Sequence, residues 1–480
     1  MQRPAHAGPD GVPLAPGSQA GASRARNSEQ TNVLLATCIA SFLPPFMGSS
    51  LNLAIPAIGA EFGSPAVVVN WVVTAYLVAS AAFLLPFGRL GDITGRTRVF
   101  LAGLLLHVAF SLASGLAGSA AALIAFRLLQ GVGGAMGFAT GVAILTGAFP
   151  PEERGKVLGI NTAAVYTGLS LGPVVGGVLT QHFGWRTIFF ANAALGLLAV
   201  VVTALKIKHE WRGSRGESFD ASGALLYTAS LASLVGGISA LKTYQGARWV
   251  VVVGVFGVAA FVVRELSAAH PILDLGLFRN VVFAFSNVAA LINYSATFAV
   301  TFLLSLYLQT VRGLDPQTSG LILLAQPVLM ALLSPLAGRL SDRIEPRLVS
   351  SLGMIFTGLA LAAFARLGPG TPLGLVVAEL VTLGVGFALF SSPNTNAVMS
   401  SVVRRHYGVG AATLGTMRLV GQALSMAFVA LTFAHFMGRA AITPANAPLL
   451  LASSRVAFAF FAALCALGTV ASLARGRLRG

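Results

Sequence analysis

Charge is scarce in this chain: of 480 residues only 10% are Asp, Glu, Lys or Arg, whereas 56% are hydrophobic and the mean hydropathy is +0.81. A water-soluble fold cannot hide that much apolar surface, so the composition excludes a soluble domain and places the chain in a bilayer. Acids are scarcer than bases, 15 against 31, which leaves a formal charge of +16. Cysteine is nearly absent. The two present, Cys38 and Cys465, lie far apart within apolar runs, so neither a disulfide nor a metal site is implied. Strand-like alternation is missing, which argues against a membrane barrel. No metal-ligand cluster, nucleophile elbow or phosphate-binding Gly-Lys loop occurs, so no enzyme activity and no cofactor or metal is expected. No cleavable leader is visible either.

What the chain does have is long apolar runs. Val68 to Phe87, Leu101 to Ala117, Phe189 to Leu205 and Leu373 to Phe390 each approach the roughly 20 residues that cross a hydrocarbon core as a helix. Fourteen such spans are predicted, centred on Pro45, Val78, His107, Gly134, Leu169, Leu197, Ser230, Phe256, Ala296, Val328, Thr357, Leu383, Ala423 and Cys465. With the N-terminus in the cytoplasm, most of the 31 Lys and Arg fall on inner loops and tails, and only Arg127 and Arg418 fall within spans. The basicity therefore reads as membrane sidedness, not as a nucleic-acid surface. A multi-pass protein of the inner (cytoplasmic) membrane with both termini in the cytoplasm is expected. Residues 1–31, rich in Gly, Ala, Pro and Ser, read as a disordered cytoplasmic tail, and 476–480 as a basic one.

A short pattern occurs twice, GRLGD at Gly88 to Asp92 and GRLSD at Gly338 to Asp342, each after an apolar run and before a basic one. Such recurrence 250 positions apart indicates two related halves, a common plan among secondary transporters. Both copies must lie on one membrane face, so an even number of spans separates them, and eight gives a more reasonable length per span than six. The surplus pair is then Ser222 to Leu241 and Trp249 to Val263. The expected division is a six-helix half at 32–206, a cytoplasmic linker at 207–220, a two-helix insertion at 221–265 and a second six-helix half at 266–475.

Three further motifs carry more specific information. In GRLGDITGRTR, Gly88 and Gly95 permit tight turns, Asp92 can accept from a helix N-terminus or from an Arg of the other half, and Arg96 and Arg98 face the cytoplasm; the second copy offers Asp342 and Arg343. RLLQGVGGA places Arg127 inside a span, where a guanidinium is costly without a partner or an aqueous cavity, and follows it with small residues that let a neighbouring helix approach. In GLSLGPVVGG, Gly168, Gly172 and Gly176 form a smooth face, and Pro173 removes a backbone donor and bends the helix. Together with WRTIFFAN at Trp185 to Asn192 and the span count, these motifs resemble the major facilitator superfamily, specifically its 14-helix drug/proton antiporter branch. The resemblance covers about residues 32 to 475. It implies an all-α fold of two six-helix halves plus two extra central helices, an inner-side clamp at Gly88 to Arg98, a role for Arg127 in proton coupling or substrate contact, and an exporter-type fifth helix.

One departure from that family pattern matters. Members typically carry an Asp five residues before the Asn of an NVALP-like segment; here the segment is NLAIP, Asn52 to Pro56, and position 47 is Met47. Glu379 is the one acid placed well within a span, which makes it the proton-site candidate; His107 is a second titratable group. Met47, Asn52, Tyr166, Tyr294, Asn394, Arg418 and Gln422 are expected to line a substrate cavity, since polar groups facing lipid are expensive. The expected function is proton-coupled efflux of small amphipathic compounds by alternating access, from a monomer in the bilayer. The alternative is export of an anionic or zwitterionic metabolite or lipid, favoured by two embedded Arg against one Glu.

Overall fold

The computed structural model describes residues 16–476 apart from 151–152, 215, 243 and 404–406; residues 1–15 and 477–480, parts of the two expected tails, lie outside the described residues. The chain's secondary-structure elements among the described residues are all helices. Its helices are α1 (Pro16–Phe62), α2 (Ala66–Thr94), α3 (Arg96–Gly115), α4 (Ala120–Ala148), α5 (Arg154–Phe183), α6 (Arg186–Lys206), α7 (Ala221–Ala240), α8 (Ala247–Ser267), α9 (Val281–Leu306), α10 (Pro316–Leu323), α11 (Ala325–Arg343), α12 (Pro346–Phe364), α13 (Leu373–Ser400), α14 (Tyr407–Phe436) and α15 (Ala447–Ala474). Among the described residues fourteen helices are long and apolar enough to cross a membrane, and each of the fourteen expected centres falls in one of them. Helices α10 and α11 make a single span, broken at Leu324 because Pro327 has no N–H for the carbonyl of Leu323 and its ring crowds that turn. The span at α1 starts at Ser28, but the helix itself is continuous from Pro16, so residues 16–31 of the expected disordered tail are helix. Pro16 sits at the helix start, where its missing N–H costs nothing, and no further proline interrupts the stretch before Pro44.

Two six-helix groups are visible in the packing. In the first, α1 lies on α5 and α6, and α4 on α2 and α3; in the second, α9 lies on α14 and α15, α12 on α13 and α15, and α11 on α13. The groups meet along α2 with α14 and α5 with α10. The extra pair, α7 and α8, packs chiefly on itself, with glycines at the contact: a Cβ on Gly254 would run into the Leu234 backbone, and one on Gly237 into Val251. α7 also touches α2 and α14, where Tyr227 donates to the Ala81 carbonyl at 3.0 Å and Thr228 to that of Ala82 at 2.9 Å. α8 turns Trp249, Val253, Phe256 and Val263 outward, as a lipid-facing helix should. Asp220 caps α7 and bonds Arg264 at 3.0 Å. Burial works to raise its pKa, but the bonds from Arg264, Gly223 and Ser222 outweigh that and hold it at about 2.

The apolar core is divided unevenly along the membrane normal. One continuous cluster occupies the end opposite the GRLGD loop and the middle, with Leu51, Leu53 and Val72 of the first half against Val300, Leu304, Leu380 and Phe433 of the second, and it runs on along α2, α7 and α8 to the GRLGD end through Leu85, Ala224, Phe261 and Leu273. Elsewhere towards the GRLGD end, hereafter the motif end, the core separates. One cluster holds first-half residues such as Phe100, Leu104 and Ile144; another holds Phe283, Met354 and Phe390 of the second half, joined from the first by Tyr166 and Leu169. Polar contacts follow the same division. At the opposite end Ser305 donates to the Asn52 carbonyl at 2.7 Å, Gln309 to that of Leu53 at 3.2 Å, and the Ala66 N–H to that of Ala440 at 3.2 Å. The halves are sealed at one end and parted at the other except along α2, where Leu84 still meets Gly415 of α14 and the shared cluster continues beside α7 and α8.

Candidate functional site

Where the clusters part, at mid-depth, lies a layer in which Tyr294, Ser334, Phe387 and Ser391 are buried and Tyr166 and Arg418 half-buried. Tyr166 of α5, Tyr294 of α9, Ser334 of α11, Phe387 and Ser391 of α13 and Arg418 of α14 all lie about 9 to 13 residues from the motif-end termini of their helices, or roughly 14 to 20 Å at 1.5 Å per residue. The Arg418 guanidinium lies over the Tyr294 ring, 4.9 Å from its centroid, and the Phe387 ring meets the same Tyr294 edge-to-face at 5.5 Å. The Tyr294 hydroxyl is 3.5 Å from Ser391 Oγ, and the Tyr166 hydroxyl 3.5 Å from Ser334 Oγ. Contacts that long leave both phenols with bonding capacity to spare. Arg418 is half-buried and its Nε has no protein partner. On the same face of α14, Gly415 lies against Phe138 of α4 and Gln422 is partly exposed, so this face looks across to the first half. Gly421 is what lets α9 come so close, since a Cβ there would press on the Leu291 carbonyl and on Tyr294.

The other embedded arginine sits differently. Arg127 is 1% exposed, donates from Nε to the Val72 carbonyl at 3.0 Å and from Nη1 to Gln130 Oε1 at 2.5 Å, and stacks on Tyr76 at 4.4 Å. Its contacts are all within the first half, where it ties α4 to α2. The glycines after it act as their spacing suggests: a Cβ on Gly131 or Gly134 would strike Tyr76, and one on Gly133 the His107 backbone. His107 is tied to Asn192 at 2.9 Å.

Among the remaining expected cavity residues, Met47 is 1% exposed within the continuous core, and Asn52 is buried with Oδ1 unpartnered. Asn394 does not stand free in the parted layer. It is 1% exposed, donates to the Ser286 carbonyl at 3.1 Å and accepts from Arg475 Nη1 at 2.9 Å, so it binds α9, α13 and the end of α15 together at the motif end. The arginine it accepts from lies 81 positions on in the chain. Glu379 is six residues into α13 from the sealed end, 7% exposed, with Oε2 buried and unpartnered.

The glycine seam of α5 closes on α1 of its own half. A Cβ on Gly168 would meet the Phe42 carbonyl, on Gly172 Ser49 and on Gly176 Ser50, and Ser50 donates to the Gly172 carbonyl at 2.9 Å. Contact with the second half is made instead by the Pro173 carbonyl, against which Gly320 packs, and by Gly177, against Pro316 and Gln317. Gly177 and Gly320 were not singled out from the sequence, although Gly177 is the last residue of the GLSLGPVVGG motif.

The GRLGD loop likewise holds a partner that its sequence does not announce. Gly88 is half-buried beside Ala139, and Gly95 has φ 132°, a conformation that favours glycine. Asp92 takes Arg96 Nε at 2.6 Å, so its side chain bonds within its own loop, not to an Arg of the other half. The linker lies across this loop. The N–H groups of Gly213 and Ser214 reach the Asp92 carbonyl at 3.1 Å, the Arg96 N–H reaches that of Trp211 at 2.9 Å, Thr97 N–H bonds Glu210 at 2.8 Å, and Arg89 bonds Ser214 and pairs with Glu217. Arg98 is exposed and 3.6 Å from Glu210. At the second copy, Ser341 bonds the Gly338 carbonyl at 2.7 Å and accepts from Asn396 at 3.0 Å, and Arg343 is exposed; the Asp342 side chain lies outside the described residues. Trp185 and Arg186 both bond Glu61 at 2.7 Å, joining α6 to α1 at the sealed end.

The geometry is that of a membrane transporter, and known proteins agree. The profile of the Major Facilitator Superfamily matches residues 37–426 and 288–478. The chain is 34% identical over 406 residues to the riboflavin transporter RibZ of Clostridioides difficile, covering 84% of this chain and 88% of that protein. It is 31% identical over 422 residues to the multidrug resistance protein Stp of Mycobacterium tuberculosis, covering 86% and 77%. It is 30% identical over 410 residues to the tetracenomycin C resistance and export protein of Streptomyces glaucescens, covering 84% and 76%. Among solved structures, a bacterial homolog of the human lysosomal transporter Spinster, inward-facing and unoccupied, superposes with a TM-score of 0.68 at 16% identity, covering 93% of this chain and 97% of that one. Fourteen spans, two halves parted at one end and these likenesses have one meaning: the chain is a multi-pass membrane transporter, not an enzyme, and it belongs to the Major Facilitator Superfamily.

Proposed function

We propose that this transporter exports small amphipathic compounds from the cytoplasm in exchange for protons, by alternating access. The observation that carries the reading is the division of the core: sealed across both halves at one end, parted at the other, with a layer of phenols, serines and one guanidinium at the divide. The positive-inside bias supports assigning the motif end to the cytoplasm, with both termini there; the conformation described is then open inward. The packing groups support a first half at 32–206, the linker at 207–220, the insertion at 221–265 and a second half at 266–475, in a monomer of the inner membrane. The Gly-Pro seam of α5 supports efflux over uptake. So do the names of two relatives, a multidrug resistance protein and a tetracenomycin C resistance and export protein.

In this reading Glu379 is the coupling group. It lies in the sealed layer, so protons from outside reach it only when that end opens, and a substrate leaving through the same opening exchanges with them. A difference in substrate affinity between its protonated and ionised forms suffices for coupling. The test is reconstitution into liposomes with an amphipathic dye and an imposed pH gradient. Dye should move against its own gradient while the proton gradient lasts, and stop when a protonophore collapses it. Dye movement only down its gradient, indifferent to pH, would overturn the coupling.

A further inference from the structure

We infer that the mid-depth layer is a binding site for planar aromatic anions, with Arg418 as their counter-ion and Tyr294 and Phe387 as their stacking wall. This rests on the transport reading above and names its substrate class. The argument starts from charge. The fifteen acids of the chain are Asp10, Glu29, Glu61, Asp92, Glu152, Glu153, Glu210, Glu217, Asp220, Glu265, Asp274, Asp315, Asp342, Glu345 and Glu379. By position, fourteen fall at helix ends, loops or tails, and Glu379 lies towards the sealed end of α13. None is placed at the depth of Arg418, and no carboxylate pairs with it within salt-bridge distance among the described residues. The guanidinium therefore stands in the parted layer with an aromatic face as its neighbour and no protein counter-charge.

An uncompensated cation in a membrane interior is expensive, and the Tyr294 face offsets only part of that cost. A ligand that brings a negative group recovers more, through charge-assisted bonds to a planar fork of donors. The rest of the layer fits the remainder of such a ligand. Tyr294 and Phe387 at 81° present an aromatic corner, Met330 belongs to the same cluster, and Tyr166 and Ser391 supply hydroxyls whose 3.5 Å contacts are easily exchanged for ligand bonds, while the Ser334 hydroxyl donates to the Met330 carbonyl at 2.6 Å. A cation would meet Arg418 as a like charge with no acid at that depth to hold it.

Three naphthalene probes of near-equal shape test this: 2-naphthalenesulfonate, its neutral sulfonamide, and 2-naphthylmethylammonium. Binding is read by probe anisotropy on the purified full-length protein, and transport in proteoliposomes. The wild type should bind the sulfonate about tenfold or more tighter than the ammonium probe, with the neutral probe between. Arg418→Gln should weaken the sulfonate by about 10- to 100-fold while holding the neutral probe within about threefold, which also shows that the pocket has formed. Arg418→Lys should recover part of the loss, since it keeps charge but not the planar stack. Ammonium bound as tightly as sulfonate by the wild type, or an undiminished sulfonate preference in Arg418→Gln, would overturn the inference. Should Arg418→Gln not fold, the wild-type comparison and Arg418→Lys still decide. Sulfonate binding with no transport of any probe would break the exporter reading and leave this site standing. Transport indifferent to probe charge would break this site and leave the exporter reading standing.

Discussion

Two arginines stacked on tyrosines, one in each half, show how alike two embedded cations can look in a sequence and how differently they serve. Arg127 over Tyr76 and Arg418 over Tyr294 differ by 0.5 Å in stacking distance, 4.4 against 4.9 Å. What separates them is the residue one helical turn on. Gln130 takes an Arg127 nitrogen, and the Val72 carbonyl takes another; at the corresponding place after Arg418 stands Gly421, which offers no side chain and lets α9 close in. The first arginine is a tie between α2 and α4. The second is left for something that comes from outside the protein.

The comparison is broken most directly by removing each charge in turn. Arg127→Met strands the Gln130 oxygen in a dry interface and loses the stack, and should cost about 2–4 kcal/mol, read as a lower unfolding temperature and less monodisperse protein in detergent. Arg418→Met, unliganded, should be close to neutral or slightly stabilising, because an unpaired charge is exchanged for an apolar chain of similar length. Equal losses of stability in the two variants would show that Arg418 is also a structural tie.

A gentler version removes the partner and keeps the charge. Gln130→Leu should cost about 1–3 kcal/mol, since Arg127 keeps its bond to the Val72 carbonyl but loses the other. The contrast was partly legible beforehand, as RLLQ at 127–130 against RLVG at 418–421, yet only the structure shows that Gln130 faces Arg127 and that Gly421 faces α9. The fourteen spans were legible for a simpler reason: lipid demands an apolar helix of fixed length whatever the partner. What escaped was choice of partner across long stretches of chain. The bond of Asn394 to Arg475, the seating of the α5 glycines on α1 and the linker's hold on the GRLGD loop have no local signature. The break at Leu324 was within reach of Pro327 and was missed because hydropathy runs through it.

The loop at the two GRLxD copies sharpens the comparison of halves at the motif end, with smaller energies. Only the first copy has the linker laid across it. Asp92→Asn keeps the backbone bonds to Gly213 and Ser214 and loses the charge on Arg96 at a partly exposed pair, so its stability cost should stay within about 1 kcal/mol. If the loop serves as the inner clamp when the motif end closes, transport should nevertheless fall strongly at unchanged membrane level. Normal dye export by well-expressed Asp92→Asn would remove the clamp role.

The least change in stability is expected at the acid that only the second half possesses. The first half has Met47 buried in the core, while Glu379 sits in the second half with a buried, unpartnered oxygen. Glu379→Gln keeps the shape and removes only the exchangeable proton, so the unfolding temperature should move little, within the shift that corresponds to about 1 kcal/mol. Its functional effect runs the other way. The amide stands in for the protonated carboxyl, so binding of a neutral probe should persist at every pH, whereas export should no longer respond to an imposed pH gradient. The two halves make the readout specific, since His107, the other titratable side chain considered, is already tied to Asn192. Full gradient-driven export by Glu379→Gln would mean that no carboxylate within the spans couples the protein to protons. Export by the wild type that ignored the pH gradient would instead leave the membrane potential as the driving force for an anionic substrate, worth about 2.3 kcal/mol per charge at 100 mV, and dissipating that potential with valinomycin and potassium should then stop export where collapse of the pH gradient with nigericin does not.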